Sequence, residues 1–180
     1  MRFSTDYIKQ FAELVTATKI GLSFAEPTGS CSLISPDNYK EFIKPYHQEL
    51  VQHFKKQKVN CTVHICGMTH PLYEDLVDAG FGTISIDIDP SVDQLKKLMD
   101  VAEKKAVVIG NVDATIFERA SKTQIEAEVK RCLDTVGDRS GYILSTSCEI
   151  PPSSKPEIVQ WFMDAARTLG RYEQEVEFKN

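Results

Sequence analysis

The chain has 180 residues, of which 42% are hydrophobic and 26% are charged, as in ordinary globular proteins. This length predicts one domain, spanning residues 1–180, with a substantial core. The formal net charge is −5, which excludes the basic field that a phosphate backbone requires. We therefore expect no nucleic-acid partner.

The first predicted element is an amphipathic helix over residues 1–19, in which charged and apolar positions alternate. This pattern is not typical of a signal peptide or a membrane span. The cysteines are an odd, scattered set: Cys31, Cys61, Cys66, Cys132 and Cys148. Such a set favours a reducing cytoplasm and metal or catalytic use over a disulfide framework.

Strand-like and helix-like runs alternate along the rest of the chain. Short apolar runs predict strands at Ile20–Ala25, Asn60–Ile65, Thr83–Ile86, Ala106–Ile109 and Tyr142–Ser145. Helical patterns follow at Pro36–Lys58, Pro71–Ala79, Ser91–Glu103, Lys122–Thr135 and Lys155–Leu169, and Glu173–Asn180 is expected to be frayed. Five strand-then-helix units with short connections predict an α/β fold with a parallel sheet and right-handed crossovers.

Polar residues lie at or just after the carboxyl end of every predicted strand. They are Glu26, His64, Cys66, Asp87, Asn111, Asp113, Cys148 and Glu149. Active sites of parallel α/β proteins lie at the carboxyl ends of the strands. These residues are therefore the candidates for a functional site.

His64, Cys66 and Cys148 stand out among these candidates. His64 and Cys66 are two positions apart and face the same side of a strand, and Cys148 follows the fifth run. One imidazole and two thiols form a ligand set that catalytic zinc uses while one position stays open. Spacing alone also allows a buried histidine with two inert core cysteines. Cys61 alternates against His64 and is expected to face the helices. Cys31 and Cys132 are expected to be packing or surface residues rather than ligands.

Several stretches, in order along most of the chain, resemble the uroporphyrinogen decarboxylase-like superfamily. They are Glu26-Pro27-Thr28-Gly29, Leu33-Ile34-Ser35-Pro36, His64-Ile65-Cys66-Gly67, Ala79-Gly80, Ser85-Ile86-Asp87, Gly110-Asn111-Val112-Asp113, and Tyr142-Ile143-Leu144 through Cys148-Glu149-Ile150-Pro151-Pro152. The family fold is a TIM-type (β/α)₈ barrel. The resemblance implies that the five units correspond to strands four to eight of a partial barrel.

Within this superfamily the chain resembles the corrinoid-linked methyltransferases. The decarboxylases usually lack the His-x-Cys pair and carry a histidine where this chain has Cys148. The methyltransferases carry the pair and the later cysteine and bind zinc with them. The resemblance thus implies Zn²⁺ at His64, Cys66 and Cys148, a methylcorrinoid on a partner protein as methyl donor, and a small thiol such as coenzyme M as acceptor. The alternatives are a metal-free decarboxylase-like enzyme acting on a tetrapyrrole and a non-catalytic truncated barrel module.

Glu26, Asp87 and Asn111 are the further candidates for catalytic residues. Glu26 is expected to occupy the fourth zinc position or to orient a ligand, although it could merely cap a turn. Asp87 and Asn111 could equally be structural, because Asp and Asn are common at turns. His47, His53 and His70 are expected at the surface.

Members of this family are nearly twice as long as this chain. A five-stranded sheet has two open edges, which closure of a barrel would remove. Val63, Ile86 and Ile143 are expected to line the barrel interior. We therefore expect a homo-oligomer or a companion chain that completes the barrel.

Overall fold

The computed structural model describes residues 1–15, 21–89 and 93–170. Their strands form one five-stranded parallel sheet in chain order. The strands are β1 (Leu22–Ala25), β2 (Cys61–Ile65), β3 (Thr83–Ile86), β4 (Val107–Val112) and β5 (Tyr142–Thr146). The helices are α1 (Arg2–Val15), α2 (Pro36–Phe42), α3 (Lys44–Lys56), α4 (Tyr73–Ala79), α5 (Gln94–Ala102), α6 (Lys122–Val136) and α7 (Pro156–Leu169). The fold is α/β, with the strand-helix alternation of a partial TIM barrel.

Local sequence signals explain where the helices begin. Ser121 and Gln124 form a reciprocal capping box at the start of α6. The Asp93 side chain accepts a hydrogen bond from the amide of Lys96 and caps α5. Predicted positions 16–20, 91 and 173–180 lie outside the described residues.

The predicted single helix Pro36–Lys58 is wrong, because the structure divides it into α2 and α3 at Ile43. Pro45 explains the division: it has no amide hydrogen and favours the first turn of a new helix. The predicted end of the fourth strand is also wrong. β4 continues to Val112, so Asn111 lies within the strand rather than after it.

One face of the sheet is covered by helices. Val63 of β2 pairs with Ile84 of β3, which pairs with Val108 of β4, and all three are buried in the core. The same core contains Cys61, as predicted, and also Cys132, together with α5 and α6 residues such as Leu98 and Ile125. This face therefore supplies most of the hydrophobic stabilisation.

The opposite face corresponds to the barrel interior and is open. Its row runs from His64 through Ser85 and Ile109 to Ile143, which is 51% exposed. The prediction that Val63 and Ile86 line the interior is wrong, because their alternation places them under the helices, where both are fully buried.

Within the described residues, β1 and β5 each pair with a strand on one side only. His47 is completely buried against the rings of Phe24 and Phe81, so its predicted surface position is wrong.

In the part of the chain that the structure describes, none of the helices combines the length and apolar character that crossing a bilayer requires.

Candidate metal centre

The structure brings His64, Cys66 and Cys148 together at the carboxyl end of the sheet. One ligand atom from each residue lies within 4.8 Å of those from the other two. The His64 Nε2 atom is 3.2 Å from the Cys66 Sγ atom, which is 3.8 Å from the Cys148 Sγ atom. Residues separated by 82 positions in sequence thus converge on one point.

The ring of His64 is oriented from the neighbouring strand. Its Nδ1 atom lies 3.0 Å from the Ser85 Oγ atom, and this contact turns Nε2 towards the two thiols. Burial lowers the pKa of His64, while the charges of Asp87 and Glu149 oppose that shift. The imidazole therefore favours its neutral form, in which a nitrogen lone pair is free to bind a metal.

Asp87 holds the loop that carries Cys66. Its Oδ2 atom accepts a hydrogen bond of 2.8 Å from the Gly67 amide, and its Oδ1 atom accepts one from the Ile88 amide. Gly67 has a φ of +73°, and a Cβ atom there would lie 2.6 Å from the Ser32 hydroxyl oxygen. Glycine is consequently required where the chain turns away from the thiol.

The loop that carries Cys148 is tied to the end of β4. The Ser147 amide donates to the Val112 carbonyl at 2.7 Å, and the buried Ser147 hydroxyl accepts from the Ala114 amide at 3.2 Å. The Thr146 hydroxyl donates to the carbonyl of Cys148 itself at 2.7 Å. These bonds fix the backbone from which the second thiol projects towards the first.

The donor set and its spacing fit zinc. Zinc binds Cys sulfur at about 2.3 Å in tetrahedral geometry, which separates two sulfur ligands by about 3.8 Å. The observed Sγ–Sγ distance is 3.8 Å. Burial, then the contact with Cys148, raises the pKa of Cys66 to about 11, so the Cys66 thiol resists ionisation unless a cation compensates. These residues therefore fit a bound divalent cation.

Glu26 and Asn111 lie beside this group rather than within it. Within the described residues, no carboxylate joins the three ligand atoms at the same separation. The Glu26 amide donates to the His64 carbonyl at 2.8 Å, while its carboxylate accepts from the Thr28 hydroxyl. Asn111 is buried, and its side-chain nitrogen donates to the Asp87 carbonyl at 3.2 Å. The catalytic roles of Glu26, Asp87 and Asn111 stay predictions.

Sequence reasoning missed the contributions of Ser85 and Ser147. Ser85 precedes Asp87 by two positions and shares its face in an extended strand, which was the available signal. The strand register that sets Ser85 opposite His64 is not readable from one sequence. The Ser147 hydroxyl joins two loops, a contact that a single sequence does not show.

A parallel sheet with its polar groups gathered at the strands' carboxyl ends defines part of a (β/α)-barrel protein with a site on that face. Residues 1–169 match the family described as uroporphyrinogen decarboxylase (URO-D), and the chain belongs to that family.

Similar proteins come from two groups within it. The chain is 31% identical over 125 residues to a uroporphyrinogen decarboxylase of Geobacter sulfurreducens, covering 69% of this chain and 35% of that protein. It is 28% identical over 147 residues to the methylcobamide:CoM methyltransferase MtaA of Methanosarcina barkeri, covering 77% of this chain and 39% of that protein. It is 27% identical over 167 residues to the methylcobamide:CoM methyltransferase MtbA of Methanosarcina mazei, covering 92% of this chain and 46% of that protein. The chain thus spans less than half the length of these relatives.

Proposed function

We propose that the chain carries the zinc-binding part of a corrinoid-linked methyltransferase, which moves a methyl group from a methylated corrinoid protein to a small thiol. The observation that carries this proposal is the convergence of His64, Cys66 and Cys148 with a sulfur separation typical of zinc. Relatives named as methylcobamide:CoM methyltransferases support a thiol acceptor resembling coenzyme M.

Zinc at this position would supply Lewis acidity that lowers the pKa of an incoming thiol and makes it nucleophilic at neutral pH. The chain's own residues prepare that position. Ser85 orients the His64 ring, and Asp87 fixes the loop of Cys66 through the Gly67 amide. His64, Cys66 and Cys148 would hold the ion with three protein ligands, which would leave one coordination position for the thiol.

The second candidate is a metal-free decarboxylase-like enzyme, which the similarity to the Geobacter sulfurreducens protein favours. A tetrapyrrole with several carboxylates would require a basic cleft. The carboxyl-end loops described here contain more acidic than basic residues. The ligand set and this charge balance both support the methyltransferase proposal.

Metal analysis of the purified protein tests the proposal. We expect about one zinc ion per chain and a strong loss of zinc in Cys148→Ala. Cys132→Ala is the matched control, because Cys132 is fully buried in the core and lies outside the ligand group. Equal zinc loss in both variants, or no zinc in protein prepared without chelator, would contradict the proposal.

The same proposal predicts a pH dependence of zinc affinity. Protons compete with the metal for two thiolates and one imidazole, so affinity should fall as the pH is lowered from neutral to mildly acidic. Competition with a chromophoric chelator across this range measures the effect. A flat affinity profile would be incompatible with these ligands.

We also propose that a second copy or a companion chain covers the open edges of β1 and β5. Unpaired strand edges invite pairing with another chain, and Ile143 leaves apolar surface on the open face. Analytical ultracentrifugation at low micromolar concentration should find a dimer or a larger assembly. A compact, folded monomer would contradict this assembly.

A further inference from the structure

The candidate metal centre contains two thiols that lie in direct contact. The Sγ atoms of Cys66 and Cys148 are 3.8 Å apart, although 82 positions of sequence separate the two residues. A disulfide bond joins two sulfur atoms at about 2.05 Å, so each sulfur would have to move by about 1 Å. A modest rotation about each Cα–Cβ bond gives a displacement of this size. The two side chains are therefore within reach of a disulfide bond.

The other three cysteines, which the structure also describes, are placed differently. Cys61 and Cys132 are buried in the core, where they are 3% and 0% exposed. Cys31 is partly exposed, but it packs against the same core and lies outside the group of converging ligand atoms. Cys66 and Cys148 are both partly exposed, so a small reagent can reach them. Contact and access thus coincide at this pair.

The backbone on each side of the pair is held in place, which keeps the sulfur atoms together. Asp87 accepts a hydrogen bond of 2.8 Å from the amide of Gly67, the residue after Cys66. The Thr146 hydroxyl donates to the carbonyl of Cys148 at 2.7 Å. Groups that a fold holds in contact react with one another far faster than with a molecule from solution. A reagent attached to one sulfur should therefore be displaced rapidly by the other.

We propose that Cys66 and Cys148 form a reversible modification site, at which small-molecule disulfides oxidise the two thiols to an intramolecular disulfide that excludes a metal ion. In the metal-free chain, one cysteine sulfur attacks the reagent RS–SR as a thiolate, a mixed disulfide forms and RS⁻ leaves. The second cysteine sulfur then attacks the mixed disulfide, the Cys66–Cys148 bond forms and a second RS⁻ leaves. Two electrons pass to the reagent, which departs as two RSH molecules carrying the two protons that the cysteine thiols lose.

The disulfide itself does not depend on the proposed function, but its consequence for the metal rests on that function. Because the thiolate is the form that binds a metal, oxidation leaves His64 alone of the three ligands. Zinc and the disulfide therefore exclude each other, and each lowers the occupancy of the other. Once free zinc exceeds its dissociation constant, a tenfold rise in zinc should raise about tenfold the ratio [RSSR]/[RSH]² that oxidises half of the protein.

Glutathione redox buffers with chelator-buffered zinc test the proposal on the purified chain. Samples are quenched with acid, the remaining thiols are alkylated, and mass spectrometry of proteolytic peptides identifies the joined cysteines. We expect the peptides of Cys66 and Cys148 to be linked, and a reductant to separate them. Cys148→Ala should instead accumulate a glutathione mixed disulfide on Cys66. Cys31→Ala is the matched control, since Cys31 is also partly exposed, and it should form the wild-type disulfide.

The possible outcomes separate the modification from the proposed function. A mixed disulfide that persists in the wild-type chain, or links through other cysteines, would overturn the modification site. A half-oxidation ratio that does not respond to zinc, in a chain that binds zinc, would overturn the mutual exclusion. If the reduced chain binds no zinc, the proposed function fails, while the peptide analysis still decides whether the disulfide forms.

Discussion

The two faces of the sheet show how one set of strands separates stability from chemistry. On the helix-covered face, the neighbouring residues Val63, Ile84 and Val108 are buried and apolar. On the open face, the next row contains His64 and Ser85 before it reaches the exposed Ile143. Because successive residues alternate between faces, a single strand such as β2 contributes to both.

The open face can hold a polar site because the covered face already stabilises the sheet. Ser23, Thr62, Ser85 and Ser145 lie on the open face, where their hydroxyls can be hydrated or can orient ligands. On the covered face, a lone hydroxyl would require a buried partner. The candidate metal centre accordingly lies on the face where polar side chains destabilise the fold least.

The largest expected effect tests the two faces with the same substitution. Ile84→Ala removes a side chain that is 1% exposed and should lower the free energy of unfolding by about 3 kcal/mol. Ile143→Ala removes one that is 51% exposed and should cost under about 1 kcal/mol. Denaturant unfolding of both variants at one protein concentration measures the contrast.

The same pair also examines the open edges. If another chain packs on the open face, Ile143→Ala should become more costly as the protein concentration rises into the range where the assembly forms. Equal destabilisation by both substitutions in a dilute monomer would contradict the assignment of the two faces.

Much of the architecture could be predicted from the sequence because its signals are local. Short apolar runs located all five strands, and the helical pattern from Lys122 located the start of α6. Parallel pairing followed from the alternation of strands with helices. The His64–Cys66 spacing and the position of Cys148 after a strand identified the residues that the structure brings together.

The remainder could not be predicted because it depends on contacts between distant segments. His47 lies on a helix among charged residues, and only the packing of α3 on Phe24 and Phe81 buries it. The apolar run that predicts β4 ends at Ile109, which puts Asn111 in a loop. Pairing with β5 extends the strand beyond that run, and Asn111 pairs there with Ser145. The contact between Ser85 and His64 depends on register, which no single strand encodes.

The next expected effect concerns the buried His47. Burial lowers the pKa of His47 from its ordinary value of 6.5 to about 4 on the covered face. In the unfolded chain His47 therefore binds a proton below pH 6.5, whereas in the folded chain it stays neutral until about pH 4. Stability from this group is complete above pH 6.5 and falls as the pH drops towards 4, by up to about 3 kcal/mol. His47→Phe should flatten this part of the stability profile.

Tyr39→Phe provides the control for that experiment. The Tyr39 hydroxyl lies 2.9 Å from the Nδ1 atom of His47, but burial rather than this contact lowers the pKa. The control variant should lose stability at every pH and keep the wild-type slope between pH 6.5 and 4. A slope unchanged in His47→Phe would show that other groups account for the acid sensitivity.

The smallest expected effect sharpens the role of the open face. With Nε2 turned towards the thiols, the Nδ1 atom of His64 can donate its hydrogen to Ser85 and so hold the metal-binding tautomer. Ser85→Ala should therefore weaken zinc binding by about tenfold, measured by chelator competition. Ser145→Ala removes a hydroxyl from the same face and should leave zinc affinity unchanged. An equal loss in both variants would mean that general polarity, rather than the orientation of His64, supports the site.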